Sequence, residues 1–319
     1  MKLRLLYRIA LWATICGVLA VIIDFGFTFS QTPQVFFNDF YFLVISIGIV
    51  ASVSRYIQRK SLLRSKVVFF DLLSFIFTLW VLYVFLFKGN VHDSVDHLFR
   101  SSHWIKLAIF ISFIREFSEL NISYSGTRLK PAQVFILSFM GIILAGAFLL
   151  LLPRATHHGI SFLNALFTST SAVCVTGLIV VDTATYFTPF GQTIIGLLIQ
   201  VGGLGILTFA SYFSYFFKGG ASYENQLALS DMTSNKMGQV FNTFKYILIT
   251  TFLIEGFSGM LIYFSLPASF GNIDERIFFA GFHAISAFCN AGFSTLSNSL
   301  YESGFNTNYF LQLIIIFTF

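Results

Sequence analysis

The sequence predicts an all-α polytopic membrane protein in which about four transmembrane helices precede a set of helix–pore loop–helix repeats. Three observations carry that expectation. First, 56% of the 319 residues are hydrophobic and only 10% are charged, with a mean hydropathy of +0.80; a soluble domain carries about 25% charged residues. Second, the chain breaks into apolar runs near the ~20 residues that cross a bilayer. Third, it is internally duplicated. Ser171-Ala-Val-Cys-Val-Thr-Gly177 and Ser286-Ala-Phe-Cys-Asn-Ala-Gly292 share the pattern S-A-x-C-x-x-G, their glycines 115 residues apart. Leu152-Pro153 and Leu266-Pro267 end apolar runs 114 residues apart, and Phe167 matches Phe282. Such self-similarity defines the structural unit: an apolar run, a re-entrant loop with a glycine, and a second apolar run.

The elements follow in order. The first span is expected from Leu5 to Phe29, with Asp24 in its far end. It is too long for a signal peptide and lacks a clear small-x-small cleavage site. A turn at Pro33 and Asn38-Asp39 leads to a second span, Phe40–Val53, followed by Arg55, Arg59, Lys60, Arg64 and Lys66. The third, Val67–Phe87, contains Asp71, and a polar loop from Lys88 follows. The fourth and weakest, Trp104–Leu120, is flanked or interrupted by Arg100, Lys106, Arg115 and Glu116. Residues 1–125 thus form an N-terminal four-helix region and 126–220 the first repeat. Residues 221–238 are a polar cytoplasmic connection and 239–319 the second repeat.

Within the first repeat Ala132–Leu152 is apolar, Ser161 is placed to cap a short helix ending near Val173, and 174–180 is irregular. Pro189–Phe217 is the long second run, holding Gly202, Gly203 and Gly205. The second repeat reads as Phe241–Leu266, a loop through Asp274-Glu275-Arg276, a short helix to Phe288 and a second loop. The last apolar run, Asn308–Phe319, has 12 residues, about 18 Å of helix against a ~30 Å hydrocarbon core. With Gln312 aligned to Gln192, the chain stops at the equivalent of Ile199, before the glycine cluster. The sequence therefore reads as C-terminally truncated.

Lysine and arginine set the orientation. With the N-terminus cytoplasmic, 14 of the 19 fall on inner segments and 5 on outer ones, and both glycine loops enter from outside. Irregular backbone at membrane depth survives only where protein buries it or where it lines a water-filled path. Carbonyls of such a loop can replace the water shell of a monovalent cation. Glycine admits positive φ and a close backbone approach. The short helix directs its partly negative C-terminus at the ion. Neither loop has a carboxylate, which a divalent-cation filter would be expected to show. The candidate filter residues are Val173, Cys174, Val175, Thr176 and Gly177, with Phe288, Cys289, Asn290, Ala291 and Gly292.

The loop S-T-S-A-V-C-V-T-G-L, followed by F-G-Q-T-I-I-G-L-L-I-Q-V-G-G-L-G, resembles the first pore repeat of the Trk/Ktr/HKT potassium-uptake superfamily, and is TrkH/KtrB-like. Phe288-Cys-Asn-Ala-Gly-Phe-Ser294 resembles the second, so the likeness covers about residues 130–319. The resemblance implies four repeats around one K⁺ path, of which two are present here. It implies K⁺ preference through Gly177 and Gly292, since serine in the first repeat goes with Na⁺ permeation in some plant members. It further implies a homodimer, a cytoplasmic nucleotide-binding regulatory subunit and a bacterial inner membrane. Transport needs no covalently bound cofactor; K⁺ is the cargo, and the lipid bilayer is the other partner.

Plainer readings stand beside several residues. Cys174 and Cys289 contribute backbone only, and with Cys16 they make neither a disulfide framework nor a zinc spacing. Gly202, Gly203 and Gly205 suit close helix packing better than a hinge. Glu255, in mid-run, is costly unless paired; it suits a structural hydrogen bond, bracing or capping a filter loop, better than ion coupling. Asn121-Ile-Ser123 is a chance sequon on the inner side, and His157 and His158 are solvated. Lys106 and Arg115 share a three-residue grid with Arg100 and His103, and Phe69–Ser74 faintly resembles a voltage-sensor helix. Ile109 and Ser112 fill the grid between, which fits a non-sensing bundle better. No nucleophile–base pair, P-loop or metal motif argues for an enzyme, and no basic patch for nucleic acid. The alternatives are a voltage-gated-type cation channel, which lacks its arginine ladder, a non-conducting scaffold of the same fold, and a pore formed by two paired half-chains.

Overall fold

The computed structural model describes residues 2–27, 31–58, 65–87, 102–118, 131–218, 233–267 and 270–319. Helices are the sole regular elements among them, as a bilayer requires of backbone that must satisfy itself. Contacts divide the chain into two compact units, Met1–Arg128 and Leu129–Phe319. The first holds α1 (Lys2–Gly26), α2 (Gln31–Gln58), α3 (Ser65–Phe87) and α4 (Ser102–Ser118). The second holds α5 (Pro131–Leu150), α6 (Phe162–Val173), the single turn α7 (Thr183–Tyr186), α8 (Pro189–Lys218), α9 (Thr233–Ser265), α10 (Ile273–Phe288) and α11 (Tyr309–Thr318). Among the described residues four helical segments are long and apolar enough to cross a membrane: Arg8–Gly26, Phe36–Ser54, Pro189–Thr208 and Phe244–Ser265. The protein is a polytopic membrane protein.

In the first unit the buried core is Tyr41, Ile45, Val81, Ala108 and Ile109. Two charged side chains on α4 are drawn inward and each finds a partner. Lys106 pairs with Asp24 at 2.8 Å and lies 4.0 Å from the centre of the Phe25 ring, while the Tyr41 hydroxyl donates to Asp24 Oδ2 at 3.2 Å. Arg115, 4% exposed, donates to the Gly48 carbonyl at 3.0 Å and lies 3.7 Å from Glu116. Ile109 and Ser112, between them on the three-residue grid, are buried as well. From Lys106 to Arg115 the described part of the stripe therefore faces the interior of the unit. Arg59, Lys60, Arg64, the polar loop from Lys88 through Arg100, and Asn121-Ile-Ser123 lie outside the described residues.

Two expectations are corrected here. Pro33, Asn38 and Asp39 do not make a turn; α2 begins at Gln31 and contains all three. Proline is tolerated in a first turn because the N–H it lacks would have no helical acceptor. Asp274-Glu275-Arg276 is not a loop but the first turn of α10. Acidic residues suit a helix N-terminus, and the Asn272 N–H donates to Glu275 Oε2 at 3.2 Å.

In the second unit one packing arrangement occurs twice. α6 packs on α5 and α8, and α10 on α9 and α11. One core joins Ala147, Leu150, Val173, Ile195 and Ile199 to Phe282, Ala291 and Phe293 of the second repeat. The other gathers Ile262, Leu266, Phe279, Leu311 and Ile314. On the outside, α9 exposes Tyr246, Phe252, Leu253, Phe257, Met260 and Phe264, a surface stable only against lipid or more protein.

Candidate functional site

Ser161 starts α6 as the sequence predicts, its Oγ accepting from the Asn164 N–H at 3.3 Å. Ser169 Oγ donates to the Ile143 carbonyl at 2.7 Å and ties α6 to α5. At the far end Cys174 is the C-cap, and Cys289 is the C-cap of α10. Beyond them the two loops follow one backbone course. Val175 and Gly177 have φ of 55° and 70°; Asn290 and Gly292, 115 residues on, have 58° and 74°. The hydrogen bonds match too. The N–H groups of Cys174, Val175 and Thr176 donate to Thr170, Ala172 and Ser171. Those of Cys289, Asn290 and Ala291 donate to Ile285, Ala287 and Ser286, the equivalent acceptors.

This pattern turns the loop donors back into the short helices and leaves the carbonyls over. Among the described residues no hydrogen bond ends on a carbonyl of 174–177 or 289–292. A backbone carbonyl left without a donor requires water or an ion. The loops also meet. A Cβ at Gly177 would overlap the Ala291 carbonyl oxygen and lie 3.3 Å from the Gly292 Cα. A cavity of about 270 Å³ opens beside the second loop, lined by His283, Ser286, Asn290, Gly292 and Ser294.

Side chains brace the loops differently in the two repeats. Thr176 Oγ1 donates to Ser171 Oγ at 3.1 Å, whereas Ser286 Oγ donates to the Phe293 carbonyl at 2.6 Å. His283 Nδ1 is 2.9 Å from the Phe279 carbonyl and Nε2 is 3.1 Å from Ser294 Oγ. A carbonyl can only accept, so Nδ1 carries a hydrogen, and in the neutral ring Nε2 then accepts from serine. Arg276 closes the C-terminal end of α9, its guanidinium donating to the carbonyls of Tyr263, Leu266, Pro267 and Phe270.

α8 backs both loops. A Cβ at Gly202 would overlap the Val173 carbonyl, and one at Gly203 would lie 3.1 Å from Cys289 Cβ. A Cβ at Gly205 would lie 3.1 Å from the Phe139 ring. These glycines serve close packing. Glu255 lies at the same wall, where Gln200 Nε2 donates to its Oε2 at 3.1 Å. The sequence reading singled out Glu255 without pairing it with Gln200, named Ser286 in the repeated motif without a role for its hydroxyl, and gave no role to His283 or to the guanidinium of Arg276.

The comparisons with known proteins agree with this architecture. The family model described as "TrkH: Cation transport protein" matches residues 121–319. The chain is 40% identical over 174 residues to Ktr system potassium uptake protein B of Bacillus subtilis, covering 54% of this chain and 39% of that protein. It is 36% identical over 191 residues to potassium/sodium uptake protein NtpJ of Enterococcus hirae, covering 59% and 42%. It is 36% identical over 169 residues to Ktr system potassium uptake protein B of Vibrio alginolyticus, covering 53% and 37%. The chain thus spans about two fifths of the length of these curated relatives. With the duplicated loops, their shared backbone course and a family match over more than half its length, the chain belongs to the TrkH cation transport protein family.

Proposed function

We propose that the protein takes up K⁺ across the membrane through a filter built from backbone carbonyls of the two loops. The observation that carries the reading is the pairing of the loops: equivalent donors turned inward, carbonyls left over, and contact at Gly177. Carbonyls of Val173–Gly177 and Phe288–Gly292 would take the place of the ion's water shell. The C-terminal ends of α6 and α10 add their partial negative charge. The absence of any carboxylate in either loop favours a weakly hydrated monovalent ion over a divalent one. Conduction needs no covalent step and no bound cofactor. The same reading places the protein in a bacterial inner membrane with a cytoplasmic N-terminus, as a homodimer gated by a cytoplasmic nucleotide-binding subunit.

The test uses the complete reading frame in a bacterium deficient in K⁺ uptake and grown on limiting K⁺. Wild type, Gly177→Ser and Gly292→Ser are compared for growth and for Rb⁺ and Na⁺ uptake. Restored growth by wild type, with preference for Rb⁺ over Na⁺ lost in both serine variants, is the expected result. A wild-type protein that reaches the membrane, has its gating partner supplied and still takes up no Rb⁺ would overturn the reading and leave a non-conducting scaffold.

A further inference from the structure

We propose that Glu255 holds a proton in the membrane interior and shares it with Gln200, as a cyclic acid–amide pair that ties α8 to α9 behind the second loop. Gln200 and Glu255 are 8% and 7% exposed. One hydrogen bond joins them, from Gln200 Nε2 to Glu255 Oε2. Two atoms are left without a partner: Gln200 Oε1 and Glu255 Oε1. A carboxylic acid and a primary amide can pair edge to edge through two parallel hydrogen bonds, N–H to C=O one way and O–H to C=O the other. The structure contains the first bond. The second needs one hydrogen, and the two orphaned oxygens are the atoms it would join.

The ionised alternative leaves two acceptors with no donor and a net negative charge in an apolar wall, which is costly unless a cation neutralises it. Among the described residues the surroundings supply none. From α8 the facing group is the neutral Gln200. The second loop brings the Cys289 thiol within electrostatic reach. α10 brings His283, already held between Phe279 and Ser294, and, at its opposite end, Asp274, Glu275 and Arg276. α11 brings only Tyr309, which is exposed. No salt bridge among the described residues reaches Glu255. The position of the pair gives the proton a consequence. Gly202 and Gly203 follow Gln200 by two and three residues, and a Cβ built on them would meet the Val173 carbonyl and Cys289 respectively. Release of the proton removes one of two hydrogen bonds beside that contact and loosens α8 against both loops.

The inference is independent of the transported ion, and its test requires no ion flux. The protein from its complete reading frame is purified and its infrared spectrum recorded across pH, beside Glu255→Gln. A protonated-carboxyl C=O band that shifts in D₂O, disappears at high pH and is missing from Glu255→Gln is expected. The thermal midpoint gives a second readout. A folded state that keeps a proton which an unfolded glutamate releases above about pH 4.3 loses stability as pH rises, by up to about tenfold in the unfolding equilibrium per pH unit. In Glu255→Gln two amides pair along the same edge without a proton, so this share of the pH dependence vanishes. Should Glu255→Gln fail to accumulate, Gln200→Glu makes an acid–acid pair and strengthens the band. Superimposable carboxyl regions and parallel pH profiles in wild type and Glu255→Gln would overturn the proposal, as would a Gln200→Glu spectrum with no added band.

Discussion

Gly177 carries two constraints at once: a φ of 70° and the Ala291 carbonyl standing where a Cβ would go. Gly292 carries only the first, for a Cβ built there lies 3.8 Å from the Gly177 Cα, an ordinary contact. Forcing an L-residue into the left-handed region costs about 1–2 kcal/mol, and both sites bear that cost. At Gly177 the added methyl must also push aside a backbone carbonyl of the other loop. The two glycines, equivalent in sequence, are therefore unequal in consequence. Gly177→Ala is expected to lower Rb⁺ uptake about tenfold more than Gly292→Ala, the factor that ~1.4 kcal/mol represents. Uptake per unit of membrane-inserted protein checks it, and equal losses would show that strain alone matters.

Among the elements, α8 is the one whose sequence is set by what it backs. Gly202 lies against the Val173 carbonyl, whereas Gly141 in α5 has nothing within 4 Å of a built Cβ. Both are helical glycines, and alanine is the better helix former by about 1 kcal/mol. Gly141→Ala should thus raise the thermal midpoint slightly or leave it unchanged. Gly202→Ala should lower the midpoint and Rb⁺ uptake together, because α8 must move away from α6. A Gly202→Ala protein as stable and active as wild type would remove close packing as the reason for this glycine. What the sequence made legible at this scale is what repeats or caps locally. The Ser161 cap, the ends of α6 and α10 near Val173 and Phe288, and the 115-residue offset all have short-range signatures. Gln200 and Glu255 are 55 residues apart, and no local pattern announces a hydrogen bond between two helices. Asp274-Glu275-Arg276 misled because three charges interrupt an apolar region, although acids followed by a base also suit a helix start. The guanidinium of Arg276 then turns back to carbonyls up to 13 residues earlier, which composition cannot reveal.

On the scale of the whole molecule, charge placement does what the apolar segments cannot: it tells the two sides of the membrane apart. Apolar side chains are indifferent to the direction of insertion, whereas lysine and arginine are retained on the cytoplasmic side. The orientation proposed from the 14-to-5 division of the 19 basic residues has the segment between α5 and α8 outside and the one between α8 and α9 inside. His158, in the first of these, is exposed; Glu224 belongs to the second. A single cysteine at either position reports the side directly, provided the parent protein, with Cys16, Cys174 and Cys289, is measured alongside. His158→Cys should react with a membrane-impermeant maleimide in intact cells. Glu224→Cys should react only after the membrane is opened. The reverse pattern would invert the molecule, place both glycine loops at the cytoplasmic face, and turn the proposed path from an entrance for external K⁺ into one opening from within.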